Sequence, residues 1–241
     1  MPLELFKTPL AADANLRAYY RLEDDGTDSS GNGLTMSPSG SPTYVAGYFG
    51  NGVRFPLNTS YLDVANNMGC TGGVLSISAW LKQETEISSG SVNFVQQNSL
   101  TNTIGNSISY EYNGGTRRLY FRRTKWNVAH EGPVYNITLG TGTWFHIVYT
   151  YDGTNVRGYV NGALVAGPTA ASGNGTGVNS DITTIVSSTS GATVFDDVAF
   201  FNRVLTAAEI TSIYQGGGWA ASTNYLTNYR PRKRTSGAVS V

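Results

Sequence analysis

Apolar and polar residues alternate with a period of two through most of the chain, and glycine-rich turns break the pattern roughly every 8–15 residues. Leu16, Ala18, Tyr20 and Leu22 alternate with Arg17, Tyr19 and Arg21, and Leu75, Ile77, Ala79 and Leu81 with Ser76, Ser78 and Trp80. A strand puts successive side chains on opposite faces, so each of these segments has one face to bury. Shorter strands are expected over 52–57, 61–65 and 92–96. Asn113-Gly114-Gly115 joins 107–112 to 117–123 as a hairpin, and Asp152-Gly153 and Asn161-Gly162 turn 144–151, 156–160 and 163–166 into a meander. Strands over 183–187 and 193–201 follow. The only helical signal is late. Thr206 with Glu209 three residues on forms a capping box, and Ile210, Ile213 and Tyr214 share a face before Gly216-Gly217-Gly218 stops the helix. About a dozen one-faced strands must bury their apolar faces against one another. The expected fold is all-β, a two-sheet antiparallel jelly-roll sandwich with one short C-terminal helix, over residues 15–219. No repeat or linker divides that span, which residues 1–14 and 220–241 flank.

Composition excludes other classes. Of 241 residues 40% are hydrophobic, which supplies a core and rules out a disordered chain. No apolar run approaches the ~18 residues of a membrane helix. Lys+Arg and Asp+Glu are 16 each, so the body of the chain has no electrostatic footprint for nucleic acid. The single cysteine, Cys70, excludes an internal disulfide framework and reads as an inert small residue. Met1–Lys7 lacks the basic and apolar regions of a secretory signal. The chain therefore stays in the cytoplasm, leaves within an assembly such as a virion, or is the mature form of an exported protein. The glycosylation-type patterns at Asn58, Asn136 and Asn174 read as chance without a signal. Arg230, Arg232, Lys233 and Arg234 put four cations in five residues of the tail, read as a solvated end or, alternatively, as a docking arm for an acidic partner.

Five stretches in order resemble a known family. They are Leu16–Leu22 followed by Asp28-Ser-Ser-Gly-Asn-Gly33; Gly47–Phe55; Ser76–Lys82; Trp144–Gly153; and Phe195-Asp196-Asp197 running on to Glu209-Ile210. Together they resemble the laminin G-like, concanavalin A-like lectin/glucanase jelly roll across about residues 15–218. The resemblance implies two curved antiparallel sheets and a structural Ca2+ near the first strand and the late Asp-Asp strand. Carried over by position, Asp197 is a carboxylate ligand and Gly50 a carbonyl ligand. Calcium takes six to eight oxygens, which Gly-rich turns can supply. Asp28 is a further metal candidate, with an Asx-turn as the alternative. Asp196 and Asp197 are expected on opposite faces of their strand.

Catalytic patterns are missing. Glucan-cleaving members of the resembled superfamily carry acids of the form Glu-x-Asp-x-x-Glu along one strand, and no such array occurs here. Glu84 and Glu86 are the nearest same-face pair. There is no Gly-x-Ser-x-Gly elbow, no zinc spacing and no phosphate loop. His146, in a strand pattern, reads as structural. Sugar sites combine aromatic faces with a few polar groups. The richest segment for that is 107–135, where Tyr110, Trp126 and His130 are the ligand candidates, and Tyr110 in the core is the alternative. Tyr120 shares the opposite face with Arg118 and Arg122. The expected function is a non-catalytic module binding carbohydrate or a protein surface, displayed on a phage or virus particle. The alternative is a structural decoration or fibre protein whose jelly roll is scaffold, with capsid or tail proteins as partners and a homo-oligomer, a trimer, as the assembly. A glycan hydrolase is the third and weakest reading.

Overall fold

The computed structural model describes residues 13–56, 60–65, 68, 73–98, 104–125, 128–171, 182–186 and 192–215. Its strands in chain order are β1 (Leu16–Tyr20), β2 (Ser37–Ser39), β3 (Thr43–Ala46), β4 (Asn51–Phe55), β5 (Tyr61–Val64), β6 (Leu75–Gln83), β7 (Gly90–Asn98) and β8 (Ile104–Asn113). Then come β9 (Thr116–Lys125), β10 (Val128–Glu131), β11 (Val134–Asn136), β12 (Trp144–Tyr151), β13 (Asn155–Val160), β14 (Ala163–Ala170), β15 (Ile182–Val186) and β16 (Thr193–Phe201), followed by the helix α1 (Ala207–Tyr214). They form two antiparallel eight-stranded sheets. Sheet A runs β14-β13-β12-β6-β16-β4-β3 with β1 on β16, and sheet B runs β10-β9-β8-β7-β15-β5-β2 with β11 on β9. The all-β sandwich with one late helix is as the alternation implied.

The core lies between the sheets. Leu75, Ile77, Ala79 and Leu81 of β6 and Ile147, Tyr149 and Tyr151 of β12 meet Val92, Val95, Ile108, Leu119 and Phe121 of sheet B. Gly158 of β13 lets the layers close here: a Cβ on it would lie 2.1 Å from the Phe121 ring. A second cluster forms on the outer side of sheet A, where Leu205, Ile210 and Ile213 of the α1 segment cover Tyr19, Val148, Ala199 and Phe201. The capping box is present, with Glu209 N–H donating to Thr206 Oγ1 and Thr206 N–H to Glu209 Oε2 at 2.7 Å. The sandwich is thus closed on the outside of sheet A, whereas no described helix or strand lies over the outside of sheet B.

Four strands differ from expectation. β2, β3, β10 and β11 have three or four residues each and no sustained alternation, so only their neighbours' ladders define them. Residues 128–131, which carry no strand signal of their own, thus form β10. β14 runs on past residue 166 through Pro168, which is tolerated because β14 is the edge of its sheet.

Candidate functional site

On the outer side of sheet A, β16 carries a bulge that decides where its two acids go. Phe195 and Val198 both reach the core although they are three residues apart, so one residue between them is extra. The register with β6 shifts between Asp196 and Ala199, and Asp197 has a left-handed φ of 45°. The simple alternation that would send the two carboxylates to opposite faces does not hold here. Asp196 pairs with Trp80 of β6, which pairs with His146 of β12, making one row across three strands. The turn after β3 covers this row. Tyr48 stacks on Trp80 with centroids 3.6 Å apart, and Phe49 N–H donates to Asp196 Oδ2 at 2.7 Å. Asp197 Oδ1 accepts from the Tyr19 hydroxyl. Burial, then the charge of its neighbour, pushes the Asp196 carboxyl well up; burial also raises Asp197, against the pull of the Tyr19 hydrogen bond and Arg21.

The calcium set implied by the family resemblance can be tested against these atoms. Asp196 Oδ1 is buried with no hydrogen-bond partner. Two adjacent carboxylates, Asp196 fully and Asp197 partly buried, and an orphaned oxygen fit a divalent cation, which would remove the repulsion between them. The Gly50 carbonyl stands in the same turn, accepting Gly47 N–H at 2.9 Å, and a carbonyl keeps a second lone pair. A Cβ at Gly47 would fall 2.6 Å from Asp196 Oδ2. Among the described residues no three His, Cys, Asp or Glu side chains cluster, so carbonyls and water must complete any shell. Asp28 does not fit and is corrected. Its Oδ1 accepts from Tyr19 N–H and Ser30 N–H, and its Oδ2 from Leu34 N–H and Ser30 Oγ. Four donors saturate it; Asp28 is the hub of a tight turn.

The outer side of sheet B is different in kind. Leu119 and Phe121 of β9 and Ile108 and Tyr110 of β8 face the core, so Arg118, Tyr120 and Arg122, and Ser107, Ser109 and Glu111, face out. Asn93 and Gln96 of β7 continue this face, joined by an Asn93 Nδ2–H to Gln96 Oε1 hydrogen bond of 3.0 Å. Ser109 is directly across from Tyr120, and Tyr120 from Val134, which is 46% exposed. The Arg122 guanidinium lies over the Tyr120 ring, 3.9 Å from its centroid, and its Nη2 is 3.5 Å from Glu111 Oε2. Glu111 is in register with Arg118, yet its carboxylate reaches the more distant Arg122. In register between Glu111 and Arg122, Ser109 is buried, and its hydroxyl has no hydrogen-bond partner.

The ligand candidates from sequence fare unevenly. Tyr110 is corrected: it is wholly buried, stacked on Phe94, with its hydroxyl accepting Leu139 N–H at 3.0 Å. Its face was the core face, and the aromatic on the open face is Tyr120. The signal was present, since two arginines flank Tyr120 at period two. Trp126, Cys70 and the tail cations Arg230, Arg232, Lys233 and Arg234 lie outside the described residues, as do residues 1–12 and the glycines after the helix. His130 falls in β10, with its side chain outside what is described. Glu84 and Glu86 are held by Arg54 and Arg117. His146 is fully buried, with Nε2 2.8 Å from Ser78 Oγ.

Two packed antiparallel sheets, with a helix closing the outer side of one and a polar, aromatic-bearing outer face on the other, define a two-sheet β-sandwich. The chain belongs to the concanavalin A-like lectin/glucanases superfamily, whose family model matches residues 56–211. Solved structures share the fold. The binding domain of botulinum neurotoxin DC in complex with SialylT superposes with a TM-score of 0.66 at 17% identity, over 84% of this chain and 51% of that one. The binding domain of Paraclostridial Mosquitocidal Protein 1 gives 0.62 at 15% identity, over 83% and 52%. This chain thus spans about half the length of those toxin domains. Domain 4 of AbnA, a GH43 extracellular arabinanase from Geobacillus stearothermophilus in complex with arabinotriose, gives 0.62 at 19% identity, over 83% of this chain and 98% of that one. No curated protein matches the chain by sequence. Among the described residues no helix is long and apolar enough to cross a membrane.

Proposed function

We propose that the chain is a non-catalytic carbohydrate-binding module whose ligand lies on the open outer face of β7, β8 and β9. The observation that carries this is the Tyr120 ring with the Arg122 guanidinium over it, beside the Asn93 and Gln96 amides on a broad sheet face that no described helix or strand covers. Domain 4 of AbnA, matched over 98% of its length and solved in complex with arabinotriose, supports the reading. The acids singled out above support the non-catalytic reading. Asp196 is fully buried, Asp197 is tied to Tyr19, and Glu84 and Glu86 are ion-paired, so none of them forms a retaining pair ~5–5.5 Å apart in a cleft. A calcium ion at Asp196, Asp197 and Gly50 would pin the turn after β3 to β16, serving structure on sheet A rather than ligand contact on sheet B.

A glycan array on the full chain, with calcium and again after chelation, tests the reading. Selective binding that Tyr120→Ala abolishes without lowering the melting temperature supports it. Silence on every glycan from a folded oligomer sinks it and favours a scaffold role in an assembly.

A further inference from the structure

We propose that the sheet B face selects saccharides bearing a carboxylate, and that Glu111 occupies the place of that carboxylate when no ligand is bound. The inference rests on the saccharide reading above and deepens it. Three observations carry it. First, the outward side chains of β7, β8 and β9 bring two guanidinium groups, Arg118 and Arg122, against the single carboxylate of Glu111, and among the described residues Arg118 forms no ion pair. Second, the Arg122 guanidinium lies over the Tyr120 ring as a platform and meets Glu111 only across a long 3.5 Å contact. An ideal charge-assisted pair is about 2.7–2.9 Å, so the present one is slack. Third, the strap formed by Glu111 and Arg122 spans the Ser109–Tyr120 pair in register, and the buried Ser109 hydroxyl has no hydrogen-bond partner. A buried hydroxyl without a partner is costly, and a ligand oxygen entering there would satisfy it.

A sugar acid meets all three at once. Its carboxylate is the same chemical group as that of Glu111, so it takes over the Arg122 fork like for like, with Arg118 as second cation. Glu111 then swings away, the Arg122 guanidinium stays on the Tyr120 ring and holds the sugar's carboxylate, and Ser109 gains an acceptor or donor from a ring hydroxyl. A neutral sugar has nothing to exchange for Glu111 and must leave the strap in place.

The test uses matched probes on the full chain: 3′-sialyllactose against lactose, and trigalacturonate against its methyl ester, read by calorimetry with increasing salt. Preference for either acid-bearing member, weakening as salt rises, is expected, and the two pairs separate sialate from uronate as the source of the carboxylate. Glu111→Gln removes the internal competitor and should tighten the acid-bearing probe about tenfold, whereas Arg122→Gln should erase the preference. A Glu111→Gln chain that binds the acid more weakly, or a wild type that binds acid and neutral members alike, overturns the inference and leaves the saccharide reading standing. No binding of any of these probes, nor of any glycan on the array, overturns both. Melting curves of each variant show that it is folded, and Arg118→Gln serves as the second probe should Glu111→Gln not fold.

Discussion

Asp196 and Trp80 stand opposite one another across β16 and β6, and His146 lies on the far side of Trp80 on β12. Both polar members of this row are fully buried, and each has an atom without a hydrogen-bond partner, Asp196 Oδ1 and His146 Nδ1. Charges there would be costly, and the row avoids them. Burial raises the Asp196 carboxyl and lowers His146 to about 3. The aromatic cover of Tyr48 over Trp80 and the α1 residue Tyr214, stacked 5.9 Å from Trp80, keeps the row dry.

His146 therefore destabilises the fold in acid. Its folded value of about 3 is depressed below the unfolded value near 6.5, so the unfolded chain takes up a proton first as pH falls. Stability is lost between about pH 6.5 and 3, reaching about 2 kcal/mol by about pH 5. His146→Gln should remove this acid limb while wild type keeps it. Melting temperatures of the two proteins between pH 7 and 4 check it; parallel curves would refute it.

Arg203 ties the start of the described chain to the helix. Its Nη2 lies 2.7 Å from Asp13 Oδ2 and 2.8 Å from Glu209 Oε1, while Glu209 also closes the capping box. These side chains are about a quarter exposed or less, so the pairs are worth more than a surface bridge. Arg203→Ala should cost about 1–2 kcal/mol, with the frayed helix detected by hydrogen exchange at Ile210 and Ile213. Unchanged protection in α1 would sink this account.

What the residues alone revealed follows from one-sided burial. β6, β8, β9 and β12 show their alternation because the inner face must be apolar, and the Thr206–Glu209 capping box is a local device readable in four letters. β2 and β3 owe their existence to ladders with β5 and β4, a long-range cause invisible in three or four residues. The site was less legible. Alternation shows that Ile108 and Tyr110 share a face but not which face is inside, and the arginines beside Tyr120 were the better guide. The bulge at Asp197 was hidden too, because an extra residue in a strand looks like any other until both neighbours are seen in the core.

Gly158 faces Phe121 across the core, and its missing side chain is a packing requirement. A Cβ would lie 2.1–2.5 Å from three ring carbons, and the ring is fully buried. Gly158→Ala should cost about 3 kcal/mol by overpacking. Adding Phe121→Leu to Gly158→Ala should recover part of it, since the shorter side chain vacates the clash; denaturant midpoints of the single and double variants measure this. A double variant no better than the sum of its parts would show that the strain lies elsewhere.

Calcium provides a test that separates the three acids near β1. If the ion sits at Asp196, Asp197 and Gly50, millimolar calcium raises the melting temperature of wild type, and chelation reverses it. Asp197→Asn should abolish that rise. Asp28→Asn should leave the rise intact yet lower the melting temperature in both conditions, because an amide nitrogen replaces one of the two oxygens that together accept from Tyr19, Ser30 and Leu34. Losing part of that buried hub should cost about 1–3 kcal/mol. A calcium response that vanishes in Asp28→Asn but survives in Asp197→Asn would move the ion to the turn at residues 28–33, and an absence of any response in wild type would leave Asp196 neutral by protonation alone. In that second case Asp196→Asn should be tolerated at neutral pH, because the amide reproduces the acceptor for Phe49 N–H without the charge that burial already suppresses.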